Sequence, residues 1–237
     1  GGTVSDGRLS TALLARQGDP TRFDLRFNAR FRLPNLEDKT YAYVGRDDPR
    51  DLVTDRPGAF SRQGRLFFDD MGDRAFFAGV GRPLGDAVDL RLGVRGGLEP
   101  FAQLRYRQAW QLGADSLVDG RQTLFWTPDD RVGSTTAVSW EHALSPRAAA
   151  RWLHSATITG ASPRFEWSSL MGGYRSFGDQ RLLGLEAVVT GRQGWGLTDH
   201  GVQARWEQPL GQDWLLGGLL LGRFWPREDA LAEARGA

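Results

Sequence analysis

Residues 22 to 32 read RFDLRFNARFR, and this segment constrains the fold more than any other. Phe23, Leu25, Phe27, Ala29 and Phe31 occupy one parity; Arg22, Asp24, Arg26, Asn28, Arg30 and Arg32 occupy the other. Successive side chains of a β-strand point to opposite faces, so one ribbon carries a greasy stripe back to back with a charged one. Eleven residues is also the length of a tilted strand that crosses a bilayer. A soluble sheet shows the same period, but four arginines opposite so apolar a stripe fit better a strand whose apolar face meets lipid.

The alternation recurs. In Val88–Arg95, Val88, Leu90, Leu92 and Val94 alternate with Asp89, Arg91, Gly93 and Arg95. Ala102–Arg107 and Val202–Glu207 repeat the pattern around Arg105, Arg107 and Arg205. Weaker versions run through Thr40–Arg46, Arg74–Arg82, Gln122–Thr127, Ser134–Glu141, Ala148–Ile158, Arg164–Tyr174, Leu182–Arg192 and Trp214–Trp225, with Leu9–Ala15 as an opening strand. No comparable stretch has helical i, i+3, i+4 spacing. The connections are regular too: RPLGDA (Arg82–Ala87) and QPLGQDW (Gln208–Trp214) are near copies, and LPNLEDK, ALSPRA and SFGDQR use the same turn chemistry. These short turns are predicted to share one end, the periplasmic one. Asp47–Ala59 and Gly191–Gly201, read as longer connections, belong to the opposite end.

These features predict an all-β fold: an antiparallel transmembrane up-and-down β-barrel of 12–14 strands, forming one domain over residues 1–237. The segments above number thirteen, whereas bacterial single-chain barrels normally have an even number. A closing strand is therefore expected beyond Ala237, or one assignment is wrong, with Leu9–Ala15 and Gly64–Asp70 the weakest.

Composition narrows the class. No stretch approaches the roughly 18 consecutive apolar residues of a membrane-spanning helix. The mean hydropathy of −0.42 does not exclude the membrane, because barrel strands hide lipid-facing residues at every second position. The absence of cysteine removes disulfides and thiolate zinc sites. A formal charge of +1 argues against a nucleic-acid binder. Lys39 is the one lysine among thirty basic residues, as GC-rich coding would produce. Gly1–Asp6 reads as a processed start, so export is inferred from the body of the chain.

From about Phe23 onward, the pieces FDLRFNARFRLPN, LEPFAQLRYRQAW, RQTLFW, STTAVSWEHAL and RWEQPLGQDWLLGG followed by FWPRED carry a resemblance. The chain resembles a loosely defined, uncharacterised family of outer-membrane barrel proteins in GC-rich proteobacteria. The resemblance implies the barrel fold, the cell outer membrane and a further final strand after WPRED. It implies no reaction, substrate or catalytic residue.

Candidates for chemistry are sparse. His154–Ser155 suggests the lipid hydrolases of outer membranes, where His activates Ser. Strand neighbours point to opposite faces, so this pair cannot act together. His142 or His200 would have to supply a cross-strand partner, with Glu141, Glu166 or Glu186 as the orienting carboxylate. No catalytic residue, metal site or cofactor is assigned. Asp47, Asp48, Asp51 and Asp55 share one connection whose oxygens would suit Ca²⁺, but their spacing departs from the EF-hand and acidic external loops are commonly just solvated. Gly79-Val-Gly81 is no phosphate loop, because Pro83 prevents a following helix. Most tryptophans lie near strand ends or on the apolar parity, as interfacial girdles do; a sandwich core or a carbohydrate site is the alternative.

The residues closest to function are the arginines of the polar parity. Arg26, Arg30, Arg91, Arg95, Arg105, Arg107 and Arg205, with Glu186 and Glu207, are expected to line the lumen. Asp24, Asp89, Glu186 and Glu207 are the expected counter-charges. Structurally such residues fill and cross-link a barrel; functionally, fixed guanidinium charge favours anions in a pore. Three classes follow, in this order: a porin-like passive channel preferring anions, the barrel domain of a larger envelope assembly or scaffold, and a lipid-modifying hydrolase. The expected partners are the outer-membrane bilayer and either an envelope protein or further copies of the chain, with no nucleic acid.

Overall fold

The computed structural model describes residues 4–14, 21–32, 40–57, 75–161, 165–178, 181–193, 196–209 and 216–226. Their architecture is all-β and antiparallel. Thirteen strands follow chain order in one sheet: β1 (Val4–Leu14), β2 (Arg22–Arg32), β3 (Tyr41–Asp47), β4 (Ala75–Pro83), β5 (Val88–Arg95), β6 (Glu99–Leu112), β7 (Ser116–Thr127), β8 (Arg131–Ser145), β9 (Ala148–Thr159), β10 (Glu166–Phe177), β11 (Arg181–Arg192), β12 (Gly196–Pro209) and β13 (Leu216–Pro226). This is the topology of an up-and-down barrel, although among the described residues no ladder joins β13 to β1 and the sheet is not closed. One six-residue helix, α1 (Pro49–Thr54), follows β3.

All thirteen expected strands have a counterpart among the described residues, the opening one in β1, which takes in Leu9–Leu14. Gly64–Asp70 lies outside the described residues, as do the repeated Leu-Gly of the QPLGQDW turn and the tail after Pro226. Several strands are longer than their patterns. β6 runs on through Gln108–Leu112, where alternation fails, because main-chain ladders need no particular side chains. The expected long connection Gly191–Gly201 is mostly strand: β11 reaches Arg192 and β12 begins at Gly196, with a bulge between Thr190 and Gly191. The turn of β5 into β6 shows how tightly the hairpins close. Gly97 and Leu98 have φ of +52° and +67°, and the Glu99 amide donates to the Gly96 carbonyl at 3.0 Å. That mirror-image turn matches strand twist, and glycine supplies the left-handed conformation without strain.

The chain forms two compact units. The first comprises Gly1–Arg107, Arg121–Thr135 and Ile158–Pro163; the second comprises Gln108–Gly120, Thr136–Thr157 and Arg164–Ala237. In each, polarity is inverted relative to a water-soluble sheet. In the first unit, Phe76 is 63% exposed while Asp24 on the opposite parity is 2% exposed. In the second, Leu185 is 63% exposed and its neighbour Glu186 only 6%. Leu9, Leu13, Phe23, Val80, Leu92, Met171, Val202, Leu219 and Leu221 continue the exposed apolar face. Gln103, Thr123, Thr135, Ser155, Ser168 and Gln203 continue the buried polar one.

The abundant glycine and the aromatics are one device. Pairing sets Tyr41 opposite Gly81, Tyr43 opposite Gly79, Phe77 opposite Gly45 and Phe101 opposite Gly93. Each ring lies flat over the glycine across from it, where an added Cβ would collide with the ring. Tyr174 over Gly184 and Trp167 over Gly191 repeat the arrangement in the second unit. A ring covering a cross-strand glycine recovers the packing that a missing side chain forfeits. In the first unit the rings of Tyr41, Tyr43, Phe77, Phe101 and Phe125 gather into the buried core, with Val53 of α1 fully buried on top.

Candidate functional site

Register places the polar residues of the first unit in rows. Arg32, Tyr41, Gly81, Arg91 and Gln103 face one another across five strands, β2 to β6; in the next row Pro83 pairs Asp89 and Asp89 pairs Arg105. Because Gly81 has no side chain, the Tyr41 hydroxyl reaches across it to the β5 residues. It donates to Asp89 Oδ2 at 2.6 Å and accepts from Arg91 Nε at 3.0 Å. Arg91 Nε also lies 2.9 Å from the same carboxylate oxygen. Arg91 further approaches the Tyr43 ring, its guanidinium carbon 5.4 Å from the centroid, a cation–π distance.

The connection after β3 completes this site. Its described part, through Pro57, is not simply a solvated acidic loop. α1 instead lays Val53 on the aromatic core, and Gln103 on β6 donates from Nε2 to the Leu52 carbonyl at 2.7 Å and to the Val53 carbonyl. The chain leaves the helix through Asp55, whose φ of +53° is left-handed, a conformation that Asp adopts more readily than most side chains. Its carboxylate is gripped from three sides. Arg105 donates in a fork, Nε to Oδ2 at 2.9 Å and Nη2 to Oδ1 at 2.8 Å. Arg121 Nη1 approaches Oδ2 at 3.3 Å and the Thr123 hydroxyl donates to it at 3.2 Å. A bidentate guanidinium–carboxylate pair is among the strongest polar contacts available, and burial leaves it little screened. Arg105 lies 4.0 Å from Asp89 as well, so the two carboxylates and three guanidiniums form one network.

The remaining residues expected on the polar face take individual places. Arg26 pairs with Asp24 at 3.4 Å and with Asp47 at 2.7 Å. Arg30 lies 4.0 Å over the Tyr41 ring, and Arg95, itself buried, pairs with Glu99 at 3.4 Å. Arg107 is on the same parity as Arg105 but exposed. In the second unit Arg205 pairs with Glu207, two residues away on β12. Glu186 is paired not with an arginine but with the Tyr174 hydroxyl, which donates to it at 2.6 Å, and with Gln203 Nε2. Arg151 pairs with Glu141 at 3.2 Å. Of the expected counter-charges, then, Asp24, Asp89 and Glu207 meet arginines, whereas Glu186 meets neutral donors.

Sequence reasoning had Asp55 only among the four carboxylates weighed for Ca²⁺, without its arginine partners, and it missed Arg121, Thr123 and the two tyrosines. Arg121 and Thr123 share the parity of Phe125 on β7; Thr123 already lay in the expected strand Gln122–Thr127, and starting that strand one residue earlier would have added Arg121. Asp55 lies beyond any strand; the apolar pair Leu52–Val53 inside a charged connection was the signal that this segment packs on the sheet.

The hydrolase candidates separate. Ser155 is buried, whereas His154 lies on the other face, stacked between Trp152 and Trp167 at 5.9 and 6.2 Å. A different pair does meet: Ser116 Oγ and His142 Nδ1 are 2.8 Å apart, with Trp140 stacked on the imidazole. No group of three or more His, Cys, Asp or Glu among the described residues is arranged to hold a metal ion. Compared with known proteins, the chain matches no protein family, no curated protein and no solved structure.

Proposed function

We propose that this chain is an outer-membrane β-barrel protein acting as a porin-like passive channel with an arginine-lined, anion-preferring lumen. The observation that carries the reading is the exposed apolar face: in both units large apolar side chains lie exposed along one face. The opposite face buries polar groups, Asp24 and Arg95 in the first and Glu186 in the second, beside rings and aliphatics such as Phe77 and Leu170. In water that arrangement would leave large aliphatic side chains exposed at every second position while desolvating carboxylates and guanidiniums. In a bilayer the exposed face meets acyl chains and the polar face is enclosed. Strand length supports the same solvent. The twelve residues of β11, at ~3.3 Å each and tilted ~45°, advance ~28 Å, close to the ~25 Å apolar band of such barrels. The resemblance of the C-terminal QPLGQDWLL and WPRED pieces to outer-membrane barrels points the same way, to the cell outer membrane and its lipid as partner.

The preference for anions rests on the network under α1. Arg91, Arg105 and Arg121 face Asp55 and Asp89, three positive charges against two negative, which leaves one positive charge. With α1 and five aromatic rings on the same face, the path is narrow. Planar-bilayer recording of the purified protein tests this. Reversal potentials in a salt gradient should report anion selectivity, weaker at ~1 M salt, where the Debye length falls to ~3 Å. Verified insertion without conductance would overturn the channel in favour of the barrel domain of an envelope assembly or homo-oligomer. Cation preference would mean that acids such as Asp47 and Asp48 dominate the field.

The Ser116–His142 contact favours a second reading, the lipid-modifying hydrolase. Labelling of Ser116 by a fluorophosphonate carrying an acyl chain would establish it; an unlabelled Ser116 would remove it.

A further inference from the structure

We propose that Asp55 is a tethered stand-in for a small carboxylate ligand, and that free carboxylates compete with it for the cradle of Arg105, Arg121 and Thr123, releasing α1 from the sheet. The cradle has the form of a carboxylate site. It presents a two-pronged guanidinium fork at 2.9 and 2.8 Å, with a second guanidinium and a hydroxyl converging on one of the two oxygens. It is built on neighbouring strands, β6 and β7, whereas its present occupant hangs on a six-residue helix. The occupant is also the strained partner, because Asp55 is held at a φ of +53°. Such a conformation is costly for a side chain other than glycine and persists where surrounding contacts over-determine it.

Charge makes the exchange one for one. With Asp55 in place, the network of Arg91, Arg105, Arg121, Asp55 and Asp89 carries one net positive charge; without it, three against one leaves two. Asp89 is already engaged on its own strand, its Oδ2 receiving the Tyr41 hydroxyl and Arg91 Nε, and lies 4.0 Å from Arg105. An uncompensated buried guanidinium is costly, so Asp55 leaves when another anion arrives. Val53 on the aromatic core and two hydrogen bonds from Gln103 are among the contacts that still hold α1. The consequence for conduction, that carboxylate solutes open their own path by displacing α1, rests on the channel reading. The binding site does not.

Hydrogen–deuterium exchange on the refolded full chain separates the two. The α1 amides are followed at constant ionic strength in sodium chloride, sodium acetate or sodium phosphate. Acetate should accelerate exchange of the α1 amides at least fivefold over chloride, because a single chloride ion cannot reproduce the two oxygens on which the fork, Arg121 and Thr123 converge. D55N should exchange fast already in chloride and respond little to acetate. T123V, which deletes one hydroxyl and keeps the fold, should show an intermediate rate. Equal wild-type rates in chloride and acetate would overturn the proposal, as would a D55N variant with α1 as protected as in the wild type. Acceleration by phosphate alone would overturn the carboxylate assignment in favour of a tetrahedral oxyanion. Bilayer recordings then address the channel separately: acetate-dependent exchange in a non-conducting protein would remove the channel and leave the site.

Discussion

Replacing Leu185 by arginine is the most direct test of which solvent the exposed face meets. Leu185 is 63% exposed on β11, so the substitution opens no cavity and removes little packing. It lies four residues from Arg181 and seven from Arg192. At ~3.3 Å per residue and ~45° tilt, each residue advances ~2.3 Å along the membrane normal, which puts Leu185 ~4 Å from the centre of the strand. An arginine at the midplane of a barrel's lipid face costs about 2–4 kcal/mol, falling to about 0–1 kcal/mol at the interfaces. Leu185→Arg should therefore cost about 2–3 kcal/mol, roughly a 30- to 150-fold shift in the folding equilibrium. Leu144, 64% exposed and next to last in β8, is the matched control, and its arginine variant should lose under ~1 kcal/mol. Guanidinium titration of vesicle-inserted protein, followed by tryptophan fluorescence and by heat-modifiable migration in detergent gels, measures both. A face bathed in water would tolerate either arginine to within ~0.5 kcal/mol. Equal stabilities of the two variants would refute the membrane assignment.

Three further outcomes follow from the buried faces. Gly79→Ala pushes a Cβ into the Leu92 carbonyl and the Tyr43 ring and should cost about 1–3 kcal/mol, whereas Gly173→Ala, with nothing within 4 Å, should be neutral in the same titration. Tyr174→Phe takes one of two donors from the buried Glu186 carboxylate and should cost about 1–3 kcal/mol; a double-mutant cycle with Glu186→Leu should recover most of that as coupling. Neutralising Arg91 and Arg95 together to glutamine should move the reversal potential in a salt gradient toward zero, and an unchanged potential would place the selective charge elsewhere.

The strand pattern was readable before any coordinates. A period of two in RFDLRFNARFR and VDLRLGVR follows from main-chain geometry alone, and antiparallel order leaves each pattern one way to face. That is why thirteen segments and the partition of Arg91 from Leu92, or Glu186 from Leu185, could be named from spacing. Turn chemistry likewise located the β4–β5 and β8–β9 hairpins, in RPLGDA and ALSPRA, because proline and glycine act within four residues. Strand ends were less legible, since the ladder through Gln108–Leu112 and Leu197–His200 is made by backbone groups that every residue carries.

Only tertiary structure decided which charges meet. Arg105 reaches Asp55 across fifty positions of sequence, and Gln103 reaches Leu52 across fifty-one. No local rule sends α1 inward rather than out to solvent. The decision belongs to the aromatic core that accepts Val53 and to the guanidiniums that would otherwise stay buried without Asp55. The same holds for each ring over its glycine: parity says that Tyr43 and Gly79 share a face, but register alone puts one on top of the other. Alternation is a one-dimensional property of the chain, whereas pairing depends on strands closing over long loops, and the site is made of pairings.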